Sequence, residues 1–184
     1  TDTWTKADVE RWARSWIMLS PDRGATWSEP IPSPVSSPAG PALLAGGDLL
    51  YLGKDARAMG EGRILAARSR DGGRNWEITG TVPLYPGTVP GNYHEPHVVE
   101  LPGGRLVGLI RVENHADCDL TRLGLVDFSI MQSESDDGGR TWNTPRPLGF
   151  HGSPPQILRH SSGALVCVYG FRQTGFGQRA MLSR

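Results

Sequence analysis

Cysteine is nearly absent from these 184 residues: Cys118 and Cys167 are too few for a disulfide framework and show no metal-binding spacing. They read as plain buried or half-buried thiols. Net charge is absent as well, because nineteen Lys and Arg balance nineteen Asp and Glu. No global field draws such a chain to nucleic acid or to an anionic membrane, so recognition has to be local. Long apolar runs are missing: none approaches the roughly 18 residues of a membrane span, and the stretch from Thr1 to Glu10 lacks the regions of a signal peptide. No helix of ten or more residues is predicted, and the first dozen residues form at most a short turn. What remains is a globular chain, 38% hydrophobic and 21% charged, long enough for one sizeable core.

Against these absences stands a repeated octamer. SPDRGATW (Ser20 to Trp27) returns as SRDGGRNW (Ser69 to Trp76) and as SDDGGRTW (Ser135 to Trp142), and Ser183 and Arg184 match the opening of the second copy. Asp22, Asp71 and Asp137 recur after 49 and then 66 residues, the period of a repeat architecture with an insertion in one unit. Each octamer reads as a turn that fixes itself. The Asp carboxylate accepts from its own loop, Gly supplies a positive φ, and the hydroxyls satisfy nearby groups. The Trp is then free to wedge between packed sheets.

The flanks supply those sheets. Strand-like runs lead into each octamer, as in RSWIMLS, RILAARS and FSIMQSE, with RAMLS running into the final Ser183 and Arg184. Further upstream lie paired runs joined by glycine turns: PALLAGGDLLYLGK, PHVVELPGGRLVGLIRV and PQILRHSSGALVCVYGF. Strand, glycine turn, strand, loop, strand, Asp-Gly turn and outer strand make a four-stranded antiparallel blade, and several at this spacing make a β-propeller. The expected class is all-β, with blade segments at about 1–35, 36–85, 92–150 and 153–184 of a single incomplete domain. An open set of blades leaves strand edges and blade faces uncovered.

The octamers resemble the Asp box, or BNR repeat, of the sialidase superfamily, and HEPHVVELPGGRLVGLIR (His94 to Arg111) resembles a sialidase segment that carries catalytic residues. The resemblance implies a six-bladed propeller of which this chain holds three to four blades. It also implies a hydrolase that removes terminal sialic acid, or a related acidic sugar, with retention. No cofactor or metal is called for, and the partner is an acidic glycan. Sialidases often meet their glycans outside the cell, so a secreted or periplasmic location follows from the resemblance alone.

Blade geometry sorts the candidate residues. The Asp-box turns lie on one face, which makes Asp22, Asp71 and Asp137 structural pins. The starts of inner strands and the ends of second strands lie on the other face. Glu95 opens an inner strand and Arg111 closes the strand that follows, so both return to one rim. The resemblance makes Glu95 the base that activates a tyrosine nucleophile, and Arg111 a grip on the substrate carboxylate. A neutral tyrosine avoids the repulsion an anionic nucleophile would meet, and a planar guanidinium holds a carboxylate through paired charge-assisted hydrogen bonds. Arg172, in YGFRQ, is the matching candidate of the next blade. The tyrosine and the first arginine of the usual cluster match nothing here and are expected outside this sequence.

Asp8, twelve residues before the first octamer begins at Ser20, resembles in position the aspartate that sialidases use as general acid/base. His94 and His151 precede inner strands and should line the pocket, and His115 lies in the insertion VENHADCDLTRLGLVDFS. That insertion is long enough for a lid or specificity loop. The three histidines show no ligand pattern. They keep open a second enzyme, a polysaccharide lyase acting on uronic acids, or another glycosidase on the same propeller. A non-catalytic binding propeller stands as the third reading, since the Asp box alone does not specify activity.

Overall fold

A computed structural model describes residues 5–8, 15–57 and 61–183. Among them the chain folds into fourteen strands in four antiparallel sheets taken in chain order. The first pairs β1 (Ser15–Ile17) with β2 (Ile31–Ser33). The second contains β3 (Val35–Ser36), β4 (Ala42–Leu43), β5 (Leu49–Asp55), β6 (Ile64–Ser69) and β7 (Glu77–Thr81). The third runs from β8 (Tyr93–Glu100) through β9 (Leu106–Val112) and β10 (Ser129–Ser135) to β11 (Arg146–His151). The fourth holds β12 (Pro155–Arg159), β13 (Leu165–Phe171) and β14 (Gly177–Ser183). Apart from β3 and β4, which both pair with β5, neighbours in sequence are neighbours in each sheet, as the strand and turn pattern predicts. The sheets are blades of a partial β-propeller.

Central strands such as β5 and β9 are nearly continuous apolar runs because both of their faces are covered by adjacent sheets. Outer strands β7 and β11 are largely exposed and correspondingly mixed. Three clusters of buried side chains fill the gaps between consecutive sheets. Val35, Tyr51, Leu65 and Ala67 meet Ile17 between the first two sheets. Leu50, Leu52, Ala66, Leu106, Ile110 and Met131 fill the next gap. Val99, Leu109 and Ile130 meet Ile157 and Cys167 in the last. One expectation needs revision: the inner strand of the second sheet is two short pieces, β3 and β4, pairing with opposite ends of β5. Pro38 and Pro41 lie between them, and a proline has no N–H to give a ladder.

The three octamers share one hydrogen-bond set. In the third, Ser135 Oγ donates to Asp137 Oδ1 at 2.9 Å and accepts from Gly139 N–H at 2.9 Å. Asp137 also accepts from the Arg140 and Thr141 N–H groups and from Thr141 Oγ1. Asp71 repeats this with Asn75 in place of the threonine, and Asp22 with Thr26. These bonds stabilise the charged carboxylate and hold Asp71 and Asp137 down at about 2. Arg23 adopts φ 62° where the other copies place Gly72 and Gly138, at 71° and 74°. Trp76 and Trp142 donate their indole N–H to Gly73 and Gly139 carbonyls within their own turns, and their rings join the clusters against the preceding sheet. Gly80 on β7 makes that docking intimate: a Cβ there would overlap the Gly139 oxygen and lie 2.6 Å from the Arg140 oxygen.

Candidate functional site

Register places the octamer turns and the candidate site at opposite ends of the same strands. Leu106 pairs with Ser135 at the turn, whereas Arg111 pairs with Ile130 at the far end. Five residues separate Leu106 from Arg111, roughly 17 Å at about 3.4 Å each.

At that far end β8 carries a bulge. His94 pairs with Arg111 and His97 with Leu109, so Glu95 and Pro96 together face Ile110. Glu95 occupies the left-handed region, φ 43°, where glycine is the comfortable residue. A glutamate kept there stores backbone strain, which persists only where the surroundings impose it. Two contacts do so. Ser37 Oγ donates to the Pro96 carbonyl from the second sheet, and Arg111 Nη1 donates to Glu95 Oε2 at 2.6 Å.

Arg111 is 12% exposed and is held from both sides, its other terminal nitrogen donating to Glu113 Oε2. Burial works against its charge, but the two carboxylates outweigh burial and raise its pKa. Its Nε has no hydrogen-bond partner among the described residues, and neither does the buried Ser153 Oγ. Unsatisfied buried donors are rare and collect at sites that await something. Phe128, itself at φ 47°, offers its ring to two cations: Arg111 Cζ is 5.4 Å from the centroid and Arg172 Cζ 5.8 Å. Arg172 has no carboxylate partner among the described residues, and it borders a groove of about 490 Å³ lined by Ser153, Tyr169, Phe171 and Gln178.

His94 joins the cluster, with Nε2 2.8 Å from the Gly91 carbonyl and Nδ1 3.3 Å from Lys54 Nζ. Glu113 Oε1 also lies 3.4 Å from Nε2, but the shorter carbonyl contact identifies Nε2 as the protonated nitrogen. Nδ1 then accepts from Lys54, and burial, reinforced by the Lys54 charge, lowers the His94 pKa. With both nitrogens engaged, His94 has no free lone pair for a substrate proton. His151 ends the outer strand β11, its Nδ1 facing the Asp127 carbonyl at 2.9 Å and Gln173 Nε2 at 3.3 Å. The His115 ring packs against Gly91, where a Cβ would collide with it.

The insertion expected as a lid is pinned at its base. Buried Asn92 donates to the Glu113 and Cys118 carbonyls, and Asp127 Oδ1 accepts from the Asn114 and Phe128 N–H groups. Asp8 lies in a helical turn at Lys6–Asp8, accepting from Thr5 N–H and Thr5 Oγ1. Those bonds lower its pKa. Residues 9–14, which follow it, lie outside the described ones. Among the described residues no group of three or more His, Cys, Asp or Glu is placed to hold a metal, and no helix is long and apolar enough to cross a membrane.

Lys54 and Phe128 are members that sequence reasoning missed, whereas Glu113, two residues after Arg111, is a partner that the sequence offers for it. A signal for Lys54 was present: GGDLLYLGK and GGRLVGLIR set Lys54 and Arg111 at one position of the second strand. Phe128 carries no such mark, since it reaches the cluster through the fold of the insertion.

No protein-family model matches the chain, and no curated protein is similar to it in sequence. Solved structures are similar in shape. An unknown-function protein from Dyadobacter fermentans aligns with a TM-score of 0.74 at 20% identity, over 91% of this chain and 47% of that one. The NanB sialidase of Streptococcus pneumoniae (K499G mutant) aligns at 0.64 and 17% identity, over 91% and 25%. The alpha-L-arabinanase of Penicillium chrysogenum aligns at 0.61 and 18% identity, over 91% and 54%. The likeness is one of fold. This chain spans a quarter to about half the length of these three proteins.

Proposed function

We propose that the intact protein is a glycoside hydrolase that releases a terminal acidic sugar, sialic acid foremost, from a glycan with retention. The observation that carries this reading is the strained Glu95 carboxylate held 2.6 Å from Arg111 at the rim shared with Arg172. A carboxylate fixed at a site by a guanidinium is oriented to accept a proton, here from the hydroxyl of a nucleophile. Arg172, without a carboxylate of its own, offers a fork that matches a sugar carboxylate. The groove beside it gives a pyranose room. Similarity in fold to a sialidase and an arabinanase supports glycosidase chemistry without selecting the sugar.

The tyrosine that the sialidase resemblance calls for is not among the residues of this cluster. Asp8 fits the acid poorly: an acid must carry a proton before it donates one, and the Thr5 bonds favour the charged carboxylate. His94 fits a lyase base poorly, for the reason given by its two engaged nitrogens.

The test is turnover of a fluorogenic α-sialoside by the intact protein, beside Glu95→Gln and Arg111→Ala. Loss of a general base lowers kcat by about 10²- to 10⁴-fold in Glu95→Gln, and Arg111→Ala raises KM. A folded protein that leaves the α-sialoside untouched removes sialic acid from the reading, and uronate-containing polysaccharides are then assayed. Binding of glycan without turnover of either class makes the propeller a binding module.

A further inference from the structure

Lys54 and Lys6 are the only lysines of the sequence, and Lys54 stands at the penultimate position of β5 as Arg111 does in β9. Its side chain is half-buried. Gly62 lies against the stem, where a Cβ would be 3.5 Å from Lys54 Cε. The single side-chain hydrogen bond of its ammonium among the described residues is to His94 Nδ1. An ammonium has three N–H groups, so two are unspent in a place where burial already makes the charge costly and lowers its pKa. Such a group ordinarily has a carboxylate beside it. Glu113 is near enough to offset part of that burial, but neither carboxylate of this cluster hydrogen-bonds the ammonium, and both bond Arg111 instead.

Contacts run without a break from Lys54 through His94 and Glu113 to Arg111, and from Arg111 through Phe128 to Arg172. Three cations face two carboxylates and a neutral imidazole, which leaves one positive charge without a counter-ion. Arg111 takes the hydrogen bonds of both carboxylates, so Lys54 and Arg172 are the cations of the chain of contacts left without one.

We propose that Lys54 is a substrate-binding residue whose ammonium donates to the carboxylate of an acidic sugar, giving the site a preference for monoanionic over neutral glycosides. His94 is then its positioning partner, holding the ammonium at the rim by one bond and leaving the remaining two for the ligand. The inference rests on the glycosidase reading above and deepens it.

Two measurements on the intact protein test it. Steady-state kinetics with an acidic glycoside should show KM raised about 10- to 100-fold in Lys54→Met, with kcat changed far less. Lys54→Arg, which restores charge, should recover most of the loss. Independently of activity, ¹³C,¹⁵N labelling of lysine leaves each ammonium with its three N–H groups and gives each side chain its own Cε–Nζ resonance, Lys54 being the one absent from Lys54→Arg. That resonance should shift on titration with N-acetylneuraminate or glucuronate and stay in place with arabinose. An unmoved Lys54 signal in a protein that turns over acidic glycosides overturns this inference alone, as does a KM in Lys54→Met within about twofold of the parent. Absence of binding and turnover with every acidic sugar overturns the glycosidase reading itself, and this inference with it.

Discussion

Glycine at position 95 separates the backbone from the chemistry. Glu95→Gly and Glu95→Ala both delete the carboxylate and its 2.6 Å ion pair with Arg111, so both should lose activity equally. They differ in how they sit at φ 43°. A Cβ in the left-handed region costs about 1–2 kcal/mol, and glycine surrenders roughly 0.5–1 kcal/mol more chain entropy on folding than alanine does. The difference leaves Glu95→Gly more stable than Glu95→Ala by about 1 kcal/mol, a gap of roughly 2–4 °C in Tm for a domain of this size. Thermal unfolding of the two variants, followed by circular dichroism, measures it directly. If Glu95→Ala proves as stable as Glu95→Gly, the bulge is not strained, and the argument that this site stores strain to hold its carboxylate is refuted.

Two further outcomes follow from the fold and the electrostatics. Gly80→Ala should cost at least the 1–3 kcal/mol typical of overpacking, since the obstructing atoms are backbone oxygens of Gly139 and Arg140. Gly46→Ala, with open space around it, should be neutral or stabilising by up to about 1 kcal/mol; equal midpoints for the pair in denaturant titrations contradict the docking described. His94 has its pKa lowered mainly by burial, so the unfolded chain takes up its proton first as pH falls. Its contribution to stability is full above the unfolded value of about 6.5 and declines below it. In His94→Gln the fall in Tm between pH 7 and 5 should be shallower than in the parent, and an unchanged slope argues against a neutral buried imidazole.

The octamers, the strands around them and the rim shared by Glu95 and Arg111 were legible because each follows from short-range spacing. A turn advertises its Gly and Asp, and a strand its length, so two residues at opposite ends of a hairpin can be placed on one edge from counting alone. Phe128 was not legible, because its place depends on how the insertion folds back onto the rim. The bulge at Glu95 was hidden for a related reason: nothing in HEPH announces an extra residue opposite Ile110. Arg111 illustrates the limit most clearly. Counting found the residue and Glu113 beside it, but that Glu95 is its second ion-pair partner emerged only from the packing.

Trp76 and Trp142 each join a buried cluster that their own sheet shares with the sheet before it, whereas Trp27 of the first octamer stays exposed. On the ribosome this gives the chain a direction. The second and third sheets, as they emerge, each meet a docking surface that has already been made, and their turns can close onto it without waiting for later sequence.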